Sequence, residues 1–159
     1  MNLDYGALTA IPLHPVVVHF PIALLLVAAL LEAGCLVFRR ALWLDRATTL
    51  LTALGGATLG AAYLTGERAA EAASPVVGIA QGVLADHHDL ALLALWSAGA
   101  AVVLRLLVAW LGRDDLEIQL GIFRLAALVL ILATGVMVVL TAYHGGQLVF
   151  DHGVGVRPL

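Results

Sequence analysis

The residues of this 159-residue chain best suited to hold a metal or move a proton are six histidines in three close pairs: His14 and His19, His87 and His88, His144 and His152. Neutral imidazole is the commonest metal ligand, and two imidazoles from different helices hold the iron of a b-type haem. With carboxylates beside them, the same residues suit a zinc, copper or non-haem iron ion, which needs three or four mixed ligands. The single cysteine, Cys35, lies inside an apolar run. Disulfides, thiolate metal sites and covalent haem attachment through C-x-x-C-H are therefore excluded. No H-E-x-x-H or related spacing occurs, which removes the case for a hydrolase.

Composition dictates the elements that must position these groups. The chain is 62% apolar and 12% charged, with a mean hydropathy of +1.03, whereas a soluble domain is typically ~45–50% apolar and ~25% charged. It reads as a membrane protein. Eight arginines and no lysine against eleven acids give a nucleic-acid partner no electrostatic basis. Four apolar stretches, Val16–Phe38, Ala47–Leu64, Leu90–Leu111 and Gly121–Tyr143, each approach the ~20 residues that cross ~30 Å of hydrocarbon. Short connections between them predict an all-α, up-down bundle of four transmembrane helices forming a single domain over residues 1–159, without the inverted repeat of some transporters. The N-terminal Met1–Asp4 carries no positive n-region, so no signal peptide is expected.

Arg39, Arg40, Arg46 and Arg113 flank one side of this bundle and only Arg68 and Arg157 the other. The positive-inside rule then puts both termini on the outer, periplasmic side of a bacterial inner membrane. All six histidines fall on that outer side, with Glu67, Glu71, Asp86, Asp89 and Asp151. The glycine-broken segment Ala69–Gly82 reads as a loop or short interfacial helix. Gly145-Gly146 is expected to end span four, and the tail from Gln147 to Val156 to fold back over the bundle mouth.

Small residues mark the contact faces of membrane helices. On span three, Ala91, Ala94, Ala98 and Ala101 continue to His87 and Arg105, which should face the interior, while His88 should not. On span two, Gly56, Gly60, Tyr63 and Glu67 form one stripe. On span four, Ala127, Thr134, Gly135, Thr141 and Ala142 share a side with Arg124, and His144 falls opposite. Pro21 requires a late helix start or a kink, and His14 and His19 have separate roles unless the first turns are irregular. Glu32, Arg105 and Arg124 share a level inside the spans and should pair, as a structural ion-pair cluster or a proton or quinone site.

The opening His14-Pro15-x-x-x-His19-Phe20-Pro21-Ile22-Ala23-Leu24 and the closing Gly145-Gly146-x-Leu148-Val149-x-x-His152-Gly153-Val154-Gly155-Val156 resemble an uncharacterised bacterial family of small four-span membrane proteins, domain of unknown function 2231. The resemblance spans the chain. It implies a histidine at the start of span three, matching His87 or His88, and an acid at the end of span two, matching Glu67; His144 lies outside the pattern. Some relatives are joined to Rieske iron–sulfur or c-type cytochrome modules, which implies redox work at the outer face.

Three functions compete. In the first, a haem b is held axially by His19 and His87, or by His88 in place of His87. Gly56 and Gly60 would give the macrocycle clearance, and His14, His152 and Tyr63 would act as hydrogen-bond or propionate partners. The protein would then transfer electrons to a periplasmic redox protein or exchange them with a quinone. In the second, His14, His19, Glu67, His87 and His152 supply the ligands of a zinc, copper or iron ion. In the third, the chain is a structural or assembly subunit whose histidines satisfy interfacial hydrogen bonds. All three place it in the lipid bilayer, as a homo-oligomer or within a larger membrane complex, and as an electron-transfer or binding protein rather than a hydrolase.

Overall fold

The computed structural model describes residues 13–38, 41–73, 81–111 and 117–154. Within them the chain forms α1 (Leu13–Val17), α2 (His19–Val37), α3 (Leu42–Ala73), α4 (Gln81–Leu111) and α5 (Glu117–Phe150). With α1 and α2 counted as one crossing, these give four segments long and apolar enough to span a membrane. Helix is the expected state for such runs, because hydrocarbon offers no partner for a backbone N–H or C=O and the helix satisfies each one internally. The helices α2 and α4 each pack against both α3 and α5. This closes an up-down bundle in which α2 faces α4 across one diagonal and α3 faces α5 across the other.

Two boundaries differ from the sequence reading. Helix α3 starts five residues before Ala47 and runs nine past Leu64, so Ala69–Ala73 is helix rather than loop; Ser74, Pro75 and Gly78 lie outside the described residues. Helix α5 passes through Gly145 and Gly146 and ends at Phe150. The cap falls instead at Gly153, whose φ of 66° lets its N–H bond Val149 O at 3.1 Å while Val154 N–H reaches Leu148 O at 2.8 Å. Leu148 is thereby buried against Val83, Leu84 and Val154, so the tail covers the first turn of α4 as a helix extension. The start of the first crossing follows the break that Pro21 was expected to require. Pro21, lacking an N–H and crowding the carbonyl of Val17, breaks the first crossing at Val18, where the Ile22 N–H to Val18 O bond stretches to 3.5 Å.

The core is built from small residues and short polar ones whose needs are met within the helix. Ala28, Ala98, Ala101 and Ala127 are fully buried, which lets the backbones approach closely. Thr48 and Thr52 are buried too, and each donates its hydroxyl to the carbonyl four residues earlier, at 2.8 Å.

The buried positions repeat between the two halves. On α2 they are Pro21, Leu25, Ala28, Ala29, Glu32 and Cys35; on α4 they are Ala94, Ala98, Ala101, Arg105 and Val108, which match all of the α2 set except Ala29 at the same 73-residue spacing that separates Arg105 from Glu32. Buried Thr48 and Thr52 of α3 are matched by buried Ala127 and Ile131 of α5, at the 79-residue spacing that separates Arg124 from Asp45. The bundle is therefore two equivalent helical hairpins, α2–α3 and α4–α5, side by side around an approximate two-fold axis along its length. This is a parallel repeat, distinct from the inverted kind.

Candidate functional site

At one end of the bundle, His14 of α1 and His87 of α4 lie on the diagonal pair of crossings and turn toward each other. Their ring centroids are 6.3 Å apart and the ring planes make an angle of 77°. Each ring is held in the same way by the helix beside it. His14 Nδ1 donates to Ala62 O at 2.9 Å, and His87 Nδ1 donates to Thr141 O at 2.8 Å. The residue one helical turn beyond each carbonyl is a glycine. A Cβ on Gly66 would stand 2.9 Å from Cε1 of His14, and one on Gly145 would stand 3.1 Å from Cε1 of His87. Ala62 and Gly66 precede Thr141 and Gly145 by the same 79 residues, so the two histidine seats are equivalent positions of the two hairpins. Gly145, expected to stop a helix, instead makes room for an imidazole.

A backbone carbonyl only accepts, so Nδ1 carries the hydrogen in both rings and the lone pair of the neutral imidazole sits on Nε2. That is the tautomer of a metal-ligating histidine whose other nitrogen is anchored to a carbonyl. Imidazole nitrogens bind first-row metals at about 2.0–2.1 Å and lie roughly 1.1 Å from their own ring centre. Two rings on opposite sides of one metal therefore have centroids about 6.3 Å apart, and the separation of His14 and His87 fits.

The other sequence candidates go elsewhere. His19 is exposed, its Nδ1 donating to Pro15 O of its own crossing at 2.6 Å; the break at Val18 turns His14 inward and His19 out. The structure thus brings His14, not His19, to His87. His88 points to α3, with Nε2 3.0 Å from Tyr63 Oη and 3.0 Å from Glu67 Oε1. His144 donates to Leu140 O at 2.9 Å on its own helix and lies edge-on to Tyr143. His152 is half-buried in the turn after α5. Gly56 serves helix packing rather than cofactor clearance, since a Cβ there would stand 2.8 Å from Val102 Cγ2, whereas Gly60 borders open space. Among the described residues, no three His, Cys, Asp or Glu side chains converge to hold a metal ion.

The opposite end carries a buried charge cluster drawn from all four long helices. Glu32 and Arg105 are fully buried, with Arg105 Nη1 3.3 Å from Glu32 Oε1 and 3.1 Å from Oε2. Only the first contact is aligned for a hydrogen bond, and Glu32 Oε2, Arg105 Nε and Arg124 Nε have no hydrogen-bond partner. Arg105 Nη2 also donates to Asp45 O at 2.7 Å, Asp45 Oδ1 at 3.1 Å and Thr49 Oγ1 at 2.8 Å. Arg124 Nη2 donates to Asp45 Oδ1 at 2.9 Å and its Nη1 to Cys35 O at 3.4 Å. Two guanidinium groups thus face two carboxylates and the cluster is neutral, as hydrocarbon surroundings require. Asp45 is the member the sequence reading missed. Hydropathy starts the second span at Ala47, one turn too late, because an aspartate and an arginine precede it.

The family described as predicted membrane protein (DUF2231) matches residues 10–158. No curated protein and no solved structure matches the chain.

Proposed function

We propose, from the premise that the chain belongs to the DUF2231 family of predicted membrane proteins, that it is a membrane-embedded electron-transfer protein whose redox centre is a b-type haem held by His14 and His87. The observation that carries this reading is the inward-facing pair of imidazoles, identically anchored and at bis-ligand separation. Two protein ligands are enough for a haem, whose porphyrin supplies the rest, and too few for the zinc, copper or non-haem iron alternative. When bound, the haem supplies reversible one-electron chemistry. Ala62 and Thr141 fix which nitrogen of each histidine is free, and Gly66 and Gly145 let the rings lie close against α3 and α5. Because arginine is concentrated at the opposite end, the positive-inside rule favours a periplasmic position for the histidine end. A soluble periplasmic redox protein would then be the electron partner.

The test is a reduced-minus-oxidised optical spectrum of protein purified in detergent from haem-replete cells. Wild type and His19→Ala should show a sharp Soret band that shifts on reduction, and His14→Ala and His87→Ala should lose it. A colourless wild type, or a centre that depends on His19 and survives loss of His14, overturns the proposal.

A further inference from the structure

The outer faces of the four crossings are unequal. Helix α3 has the lowest mean hydropathy of the four, yet no larger share of it is buried than of α4. Leu54 and Leu64 stand out from α3, and between them no large apolar side chain is exposed. The outer face there consists of Ala57, Gly60 and Ala61, with Ala57 and Ala61 exposed and open space where Gly60 would carry a Cβ. Gly99 of α4 borders open space as well, one turn before the Val102 that packs against Gly56. Small residues on a membrane helix let another helix come close, but no helix of this bundle lies against Gly60 or Gly99. They leave a notch halfway along the α3/α4 side of the molecule.

A knob stands beside the notch. Trp43 and Trp110 lie near the ends of α3 and α4 at the arginine end, the interfacial position that tryptophan favours in membranes. Trp96 is different: it sits at the midpoint of α4, is 72% exposed and precedes Gly99 by one turn. Tyr63 beside His88 and Thr49 beside Arg105 set the register of α3 against α4. Halfway between those two contacts, Trp96 stands level with Ala57. An indole at that depth projects into hydrocarbon, far from the water or headgroups that its N–H meets at an interface. The same face of α3 ends in opposite charges. Arg68 and Glu71 continue the line of Ala57, Ala61 and Leu64 at helical spacing, and both are exposed.

We propose that the chain forms a two-fold homodimer through its α3/α4 face, with Trp96 of each copy seated in the notch of Ala57, Gly60 and Ala61 on the other. A two-fold axis parallel to the bundle brings equal levels together, so Trp96 meets the partner's Ala57 and Arg68 meets the partner's Glu71. Knob, notch and both charges then each find their complement on the same surface, the condition for an isologous interface. Lipid would fill the notch but leave the paired charges and the mid-depth indole without a counterpart. The interface uses none of the residues that face His14 and His87, so it stands apart from the haem reading.

Association is measured by energy transfer between donor- and acceptor-labelled full-length protein, diluted over a range of protein-to-lipid ratios in phosphatidylcholine/phosphatidylglycerol vesicles. Wild type should follow a monomer–dimer isotherm. Trp96→Ala removes the knob and Ala57→Leu fills the notch; each should weaken association about tenfold, the effect of losing a packed aromatic anchor. Both positions are exposed in the single chain, so these variants should keep the helicity and Tm of the monomer by circular dichroism. Leu132→Ala, on the outer face of α5, should associate as wild type does. Arg68→Glu and Glu71→Arg should each weaken association about threefold, and the double variant Arg68→Glu/Glu71→Arg should recover it. A wild type that stays monomeric at every dilution, its α3/α4 face covered by lipid or by another protein, overturns the proposal. So does association unchanged in both Trp96→Ala and Ala57→Leu, equal weakening by Leu132→Ala, or a charge-exchanged variant no stronger than its singles.

Discussion

At the histidine end the two hairpins contribute the same residue, His14 and His87, whereas at the arginine end they contribute opposites, Glu32 and Asp45 against Arg105 and Arg124. Both sets occupy equivalent positions, so the fold treats them alike and only their chemistry differs. Identical side chains facing each other across an approximate two-fold axis, two neutral imidazoles with lone pairs on Nε2, cannot hydrogen-bond to each other. Opposite side chains at such positions pair, Glu32 with Arg105 and Asp45 with Arg124, although Glu32 Oε2, Arg105 Nε and Arg124 Nε are left without a hydrogen-bond partner. Under the proposed function a ligand completes the histidine end, whereas the arginine end balances its own charges.

That contrast can be broken hardest at the arginine end. Arg105→Leu leaves Glu32 buried without its partner and should cost ~3–5 kcal/mol, read as loss of monodisperse protein and a lower Tm in detergent. If the hairpins are equivalent, exchanging the charges in full should restore much of that loss. The variant Glu32→Arg/Asp45→Arg/Arg105→Glu/Arg124→Glu should melt well above Glu32→Arg/Asp45→Arg alone, and equal melting would deny the equivalence.

Next in size come the glycines beneath the imidazoles. Gly66→Ala and Gly145→Ala each put a methyl within about 3 Å of a ring held by a hydrogen bond, at a cost of ~1–3 kcal/mol. The two should be similar in effect and should weaken haem retention in the optical assay. Gly153→Ala is expected to cost about 1–2 kcal/mol through its left-handed backbone, detectable as a lower Tm without loss of the Soret band. The smallest effect belongs to Gly60→Ala, which meets open space and should leave the stability within about 0.5 kcal/mol of wild type, read as a nearly unchanged Tm.

Much of this was legible in the residues. The alanine stripe of the third span carried His87 and Arg105 to the interior, and both are there. The expected pairing of in-span charges holds between Glu32 and Arg105, but Arg124 bonds Asp45 instead, a residue hidden by its place at the edge of the hydropathy signal. His14 and His19 were indistinguishable as candidates because their directions depend on how the chain passes Pro21, and no periodicity survives a broken helix. Gly145 was misread because a glycine near a helix end serves as a cap or as clearance, and only its neighbour decides which. The repeat escaped notice because equivalent positions hold different types, Glu32 for Arg105 and Thr48 for Ala127, conserving burial rather than identity.

Sequence by itself determined that this chain lives in a bilayer as four helices and that its in-span charges Glu32, Arg105 and Arg124 sit at the end opposite its imidazoles, since transfer free energy and helical periodicity are local properties. Tertiary structure alone decided which histidines meet, which carboxylates close the other end, and that the halves are equivalent. Those facts depend on distances between residues 73 and 79 positions apart, and packing four helices into one bundle is the only step that sets them.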